Sequence, residues 1–164
     1  MTRIFGLVWG ALLLTLSGGL ATAQTAKDLI GTWTLSAIQL ELPDKKIDLF
    51  GPGAKGQQTF DANGRFSIMI MRSDLPKVAS NNRETATPEE ASKLAHGTIA
   101  YFGTYTANDA DKTITVNIES ATFPNWNGTS QKRTFSFADG QLTFSNPTTT
   151  TGSGVAKIIW KRAP

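Results

Sequence analysis

Short runs in which apolar and polar residues alternate recur along the chain from Thr32 onward, separated by clusters of Gly, Asn, Asp and Pro. Alternation with a period of two marks a strand that turns one face to a core. Eight such runs can be placed: Thr32–Leu40, Gly56–Asp61, Arg65–Arg72, Thr98–Thr106, Thr113–Glu119, Ser130–Phe137, Gln141–Ser145 and Val155–Arg162. In the third, Phe66, Ile68 and Ile70 share a face, with Ser67, Met69 and Met71 opposite. In the fifth, Ile114, Val116 and Ile118 lie opposite Thr115, Asn117 and Glu119. Several runs carry apolar groups on both faces, so the pattern leaves open which face points inward.

The segments between the runs are turn chemistry. Asn63-Gly64 predicts a tight hairpin whose two residues take positive φ, and Asn108–Asp111 and Asp139-Gly140 predict two more. One segment has helical signals instead. Thr87 is an N-cap, Pro88 suits the first helical position and Glu90 sits where a capping box places its carboxylate. The helix body, Glu89–Ala95, is predicted to stop at Gly97 in the left-handed conformation. Its short apolar face of Ala91, Leu94 and Ala95 would dock on a barrel end, as a lid or plug between the third and fourth strands.

Residues 1–23 read as an export leader, with Arg3 ahead of the apolar run Leu7–Leu16 and the small-x-small site Ala21-Thr22-Ala23. The expected product is one domain, residues 24–164, periplasmic or secreted and without stable membrane insertion. The chain has no cysteine, which excludes disulfides, thiolate nucleophiles, Cys-bound zinc and a lipid-modified Cys. With 16 Lys and Arg against 13 Asp and Glu, charge is near balance and scattered, which argues against a nucleic-acid partner. A single histidine, His96, leaves only carboxylates to complete a transition-metal site, so neither metal nor other cofactor is expected. His96 stands at the helix end, where an imidazole meets the negative end of the helix dipole.

The first run opens with Gly31-Thr32-Trp33 and the last ends with Trp160-Lys161-Arg162. A Gly-x-Trp on the opening strand and a basic residue on the closing strand would seal one end of a small antiparallel barrel, with the guanidinium across the indole face. Further along come Asn63-Gly64-Arg65-Phe66, Thr87-Pro88-Glu89-Glu90, Ile99–Tyr105 and Phe123-Pro124-Asn125-Trp126-Asn127-Gly128-Thr129, followed by Gln131 and Arg133. In these motifs and their order the chain resembles the lipocalin-like domain family over about residues 28–162. The resemblance implies an all-β, eight-stranded antiparallel lipocalin-like barrel around a small ligand. In that family a His often precedes the Glu of the fifth strand by two positions. Asn117 stands there in this chain, which weakens a general base or metal ligand on that strand.

Arg72, Tyr101, Tyr105, Glu119, Trp126 and Arg133 are the candidate ligand-binding residues. An Arg fork suits a planar anion such as a carboxylate or phenolate, and the aromatics would contact a flat or apolar ligand. The opposing reading makes Glu119 and one Arg a structural ion pair at a strand end, and Phe123–Trp126 a latch on the barrel rim. Three functions follow. The leading one is an exported barrel that binds a small, mostly hydrophobic molecule. The second is an enzyme of the same fold (a cyclase, isomerase or hydrolase), with Glu119 as acid or base and Arg72 or Arg133 as electrostatic stabiliser. The third is a structural barrel whose interior is filled by its Phe-rich strands. No Gly-x-Ser-x-Gly elbow, phosphate-binding Gly loop or dinucleotide fingerprint is present. Ligand identity and oligomeric state are left open.

Overall fold

Three tight turns at one end of the molecule reverse the chain, and every pair of neighbouring strands is antiparallel. The computed structural model describes residues 25–147 and 154–164. The leader reading therefore falls outside the described residues, as does most of the Thr148–Gly154 loop. The strands are β1 (Gly31–Glu41), β2 (Lys46–Asp48), β3 (Lys55–Phe60), β4 (Arg65–Met71), β5 (Thr98–Asn108), β6 (Thr113–Ala121), β7 (Ser130–Ala138), β8 (Gln141–Asn146) and β9 (Val155–Arg162). The helix α1 (Pro88–His96) lies between β4 and β5. These are the strands expected as third and fourth. The count moves by one because Lys46–Asp48, exposed at all three residues and too short to show a period, forms an extra short strand.

β1 and β3 to β9 form a closed ring of eight strands, sealed where β1 pairs with β9. β1 bends at a bulge between Leu35 and Ala37, which lets it serve two partners on its other side. Gly31–Thr34 pair with β3, and Gln39–Glu41 pair with β2. Closure leaves no long free edge.

The inward face is the one carrying Phe66, Ile68 and Ile70 on β4 and Ile114, Val116 and Ile118 on β6, all buried. Met69, Met71 and Phe102 point outward and are exposed. At the turn end the interior is filled. Trp33, Phe60, Phe66, Phe144, Leu142 and Trp160 are buried there, and Phe60 contacts both Tyr105 and Phe144 by ring edges and tilted faces.

A 3-10 turn at Ala26–Leu29 closes this floor. Trp33 Nε1 donates to the Leu29 carbonyl at 2.8 Å, and the Arg162 guanidinium lies 4.3 Å from the indole centroid. Arg162 reaches across Gly31 to donate to the Ile30 carbonyl at 2.9 Å. Gly31 has φ +128°, and a Cβ on it would lie 2.6 Å from Arg162 Nη1. The Gly-x-Trp spacing thus has a steric cause: the missing side chain is the path of the guanidinium.

Two expected turn conformations, at Asn63 and at Gly97, differ from the structure. In the β3–β4 turn only Gly64 takes a positive φ, because the Asp61 carboxylate accepts from the amides of Asn63 and Arg65 and builds the turn without Asn63 entering the left-handed region. Asp139 and Gly140 do both take positive φ, as a two-residue hairpin requires. Gly97 ends α1 at φ −96°, outside the left-handed region. What it supplies is room, since a Cβ there would run into Leu75.

Candidate functional site

At the end opposite Trp33 a cavity of about 410 Å³ opens. Its wall comes from Ile38 on β1, Ile70 on β4, Ile99 and Tyr101 on β5, Arg133 on β7, and Ala156 and Ile158 on β9. The next inward residues on those strands, Leu35, Ile68, Phe135 and Trp160, belong to the solid core and take no part in the lining. The layer holding Tyr101 and Arg133 is therefore the inner end of the cavity. Its rim is made by the long connections: Leu49 and Phe50 after β2, Ala95 and His96 from α1, and Thr122, Phe123 and Trp126 between β6 and β7.

Among the described residues Arg133 is the one charged side chain in the wall, and it is 5% exposed. Its Nη1 donates to the Tyr101 hydroxyl at 2.9 Å and its Nη2 to Gln131 Oε1 at 2.6 Å. Its Nε has no hydrogen-bond partner among the described residues. No described carboxylate pairs with it, and neither residues 1–24 nor 148–153 contain an acidic side chain. Parity explains the orientation: Arg133, Phe135 and Phe137 alternate along β7, so the guanidinium enters on the same face as the two phenyl rings.

Trp126 stands edge-on to Tyr101 at 5.3 Å and to Phe123 at 5.6 Å. Tyr101 in turn meets Phe66 at 5.8 Å. A continuous aromatic column thus runs from the rim to the floor, fixing the Tyr101 ring against which Arg133 also packs at 5.6 Å. The Phe123–Trp126 segment is both rim and latch. A 3-10 turn at Pro124–Trp126 holds it, and Asn127 Oδ1 accepts from the Ala121 amide.

The cavity brings together Tyr101, Trp126 and Arg133 of the six sequence candidates and leaves out the other three. Glu119 points away from the barrel. It is the extra residue of a bulge opposite Phe102 and Gly103, and its carboxylate forms a two-pronged pair with Arg65 on the surface, at 2.6 and 2.9 Å. Arg72 lies past the end of β4, where the chain has left the barrel face. It forks onto Asp74 at 2.8 Å, holding that carboxyl below its usual range, and lines a separate groove beside α1. Tyr105 faces inward but at the floor. Its hydroxyl donates to the Asp61 carbonyl at 2.8 Å, and desolvation, then the Asp61 charge, pushes its pKa up.

His96 is exposed at the rim, with Nδ1 2.8 Å from the Ser92 carbonyl of its own helix. α1 is fixed by its capping box, Thr87 with Glu90, yet none of its residues is buried. Of its expected apolar face only Leu94 is half-buried, and Ala95 borders the cavity. Leu49 and Phe50 were not singled out from the sequence. Their signal was an adjacent apolar pair in an otherwise polar, Gly/Pro-rich loop. Among the described residues no group of three or more His, Cys, Asp or Glu is placed to hold a metal, and no helix is long and apolar enough to cross a membrane.

The profile of the lipocalin-like domain matches residues 30–163. No curated protein matches. Among solved structures the chain is similar to a "REP1-NXSQ fatty acid transporter", at 12% identity and a TM-score of 0.40, over 85% of this chain and 98% of that one. A likeness that distant adds nothing to the geometry above. The family match covers nearly all of the described chain, and the chain belongs to the lipocalin-like domain family.

Proposed function

We propose that this protein is a binding barrel that takes a small, mostly hydrophobic molecule into the cavity at its open end. The observation that carries this reading is the cavity itself, of about 410 Å³, walled mainly by aliphatic and aromatic side chains with Arg133 as the one Lys, Arg, Asp or Glu among its described lining residues. Sites for small molecules fall in the range of roughly 300–1,000 Å³, are mainly apolar, and use a few polar groups for orientation. Ile38, Ile70, Ala156 and Ile158 supply the apolar wall, Tyr101 and Trp126 the aromatic contacts, and Arg133 the polar anchor.

Native mass spectrometry of the protein purified from its host tests this. A retained mass released by organic solvent is the expected result. Ala156→Phe, which would place a ring inside the cavity, should abolish the retained mass while the protein still melts cooperatively. A clean apo mass that persists after incubation with host lipid extract would overturn the reading.

Export belongs to the same proposal, and the leader pattern of residues 1–23 supports it. The mature chain should then begin near Gln24 and appear in the periplasmic fraction or the medium. An intact Met1 on cytoplasmic protein would remove the export claim without touching the binding claim.

A further inference from the structure

Buried cations in proteins are paired, because taking a charge out of water without a partner is strongly unfavourable. Arg133 breaks that rule. The residue is 5% exposed, and its two described partners, a phenol and an amide, are neutral. The other buried side-chain polar atoms without a partner among the described residues are Gln58 Oε1 and Trp160 Nε1, both neutral groups below the cavity. The uncompensated charge is thus confined to the inner end of the cavity.

We infer that the ligand is an acid, a carboxylate on an apolar body, and that it enters head first to place its anion on Arg133. This rests on the binding reading above and names the class of ligand for the same cavity. Three features carry it. The guanidinium has no anionic partner among the described residues, its Nε–H is unused and its two Nη groups are held only by neutral acceptors, and an Arg fork matches the two oxygens of a carboxylate. Arg133 sits in the innermost lining layer, so a head group docked there leaves the rest of the ligand among Ile38, Ile70 and Ile158, with its far end at Phe123 and Trp126. No Asp or Glu lines the cavity, so nothing repels the anion. Tyr101 is a positioning residue in this scheme. Its hydroxyl accepts from Nη1 and its own proton is left to donate to the same carboxylate.

The charge also has a consequence for the empty protein. An unpaired buried guanidinium weakens the fold, so replacing it by an apolar side chain of similar length should not lower stability. A residue kept only to tie Tyr101 and Gln131 together would behave in the opposite way.

Calorimetric titration with matched pairs tests the inference: dodecanoate against dodecanol, and naphthoate against naphthylmethanol. At least one acid should bind more tightly than its alcohol by about tenfold or more, as a desolvated charge-assisted contact predicts. Arg133→Met should remove that preference, with the melting temperature no lower than in the parent. Arg133→Lys should retain part of the preference, and Tyr101→Phe should reduce it without abolishing it. Acid and alcohol binding equally, or an Arg133→Met protein that keeps the preference, would overturn the inference and leave the binding reading standing. If Arg133→Met does not fold, Arg133 is a structural tie, and an unchanged preference in Tyr101→Phe and Arg133→Lys would overturn the inference as well. Failure of all four compounds to bind would sink the binding reading with it.

Discussion

At the floor of the barrel the strands are joined by short hairpins, and the space between them is packed with Trp33, Phe60, Phe66, Phe144 and Trp160. At the mouth the same strands are joined by longer connections, 72–97 and 122–129, and the inward residues are mainly Ile and Ala, with Tyr101 and Arg133 at the inner end. The floor gains its stability from dense aromatic contact and from the Trp33–Arg162 clasp. The mouth gives up that burial and accepts an unpaired guanidinium. A filled barrel and a binding barrel are therefore not alternatives here, since the solid half holds the shape in which the hollow half can stay open.

The largest effect should come from Trp33→Ala. Truncating a buried aromatic costs roughly 3–5 kcal/mol, and here the Leu29 carbonyl and the Arg162 guanidinium also lose their partner. Urea unfolding should show the protein unfolded or close to it. A variant melting within a degree or two of the parent would mean the floor does not carry the stability. Gly31→Ala should come next, at roughly 1–3 kcal/mol, since the residue must hold a disfavoured φ and its Cβ would displace Arg162. Ligand affinity should be unchanged in the Gly31 variant that still folds. If affinity falls with stability, the two halves are coupled and the comparison needs revision.

Much of this division was legible in the sequence and some was not, for physical reasons. Alternation located the eight barrel strands, and the Gly-x-Trp and terminal Arg pointed to the floor. Depth and strand ends were harder. Tyr105 has the same inward parity as Tyr101, but it lies two pairs of residues closer to the floor, and parity carries no information about depth. Arg72 continues the parity of Phe66, Ile68 and Ile70, but β4 ends at Met71, and boundaries are where pattern reading is weakest. Glu119 could have been placed from its own neighbours, because Ile114, Val116 and Ile118 claim the inner face and leave it outside. The extra strand β2 had no signal, being three exposed residues whose side-chain ties to β1, Lys46 with Glu41 and Asp48 with Gln39, form only once the strands are paired.

A smaller effect should appear in acid, at the 72–97 connection of the mouth and at the β5–β6 turn of the floor, where Asp109 and Asp111 are also held below the usual carboxylate range. Glu90 is held below the usual carboxylate range by hydrogen bonds from the amides of Ala79 and Thr87, and Asp74 by its fork with Arg72. A carboxyl whose pKa is depressed on folding adds stability above its unfolded value, near 4, and that stability is lost as pH falls through the folded value. Both groups fasten the 72–97 connection. Amide exchange measured between about pH 7 and about pH 3, corrected for intrinsic rate, should therefore show residues 79–97 losing protection while β3 and β4 at the floor keep theirs. Amides of β3 and β4 opening before residues 79–97 would invert the comparison.

The smallest effect should be that of Glu119→Gln, and its smallness is what makes it informative. The Arg65–Glu119 pair is exposed on both sides, and pairs of that kind contribute about 0–1 kcal/mol even in good geometry. The carboxylate lies on the outer face, across the wall from the cavity, so neither ligand affinity nor the acid preference assigned to Arg133 should move. A clear loss of binding in Glu119→Gln would mean that the outer face reports on the inner one. The bulge at Glu119, which sets the register of β6 against Tyr101 on β5, would be the route. Comparing Glu119→Gln with Arg65→Gln separates the two cases, because an isolated surface pair gives the same small change from either side, whereas a bulge held in place by Glu119 alone does not.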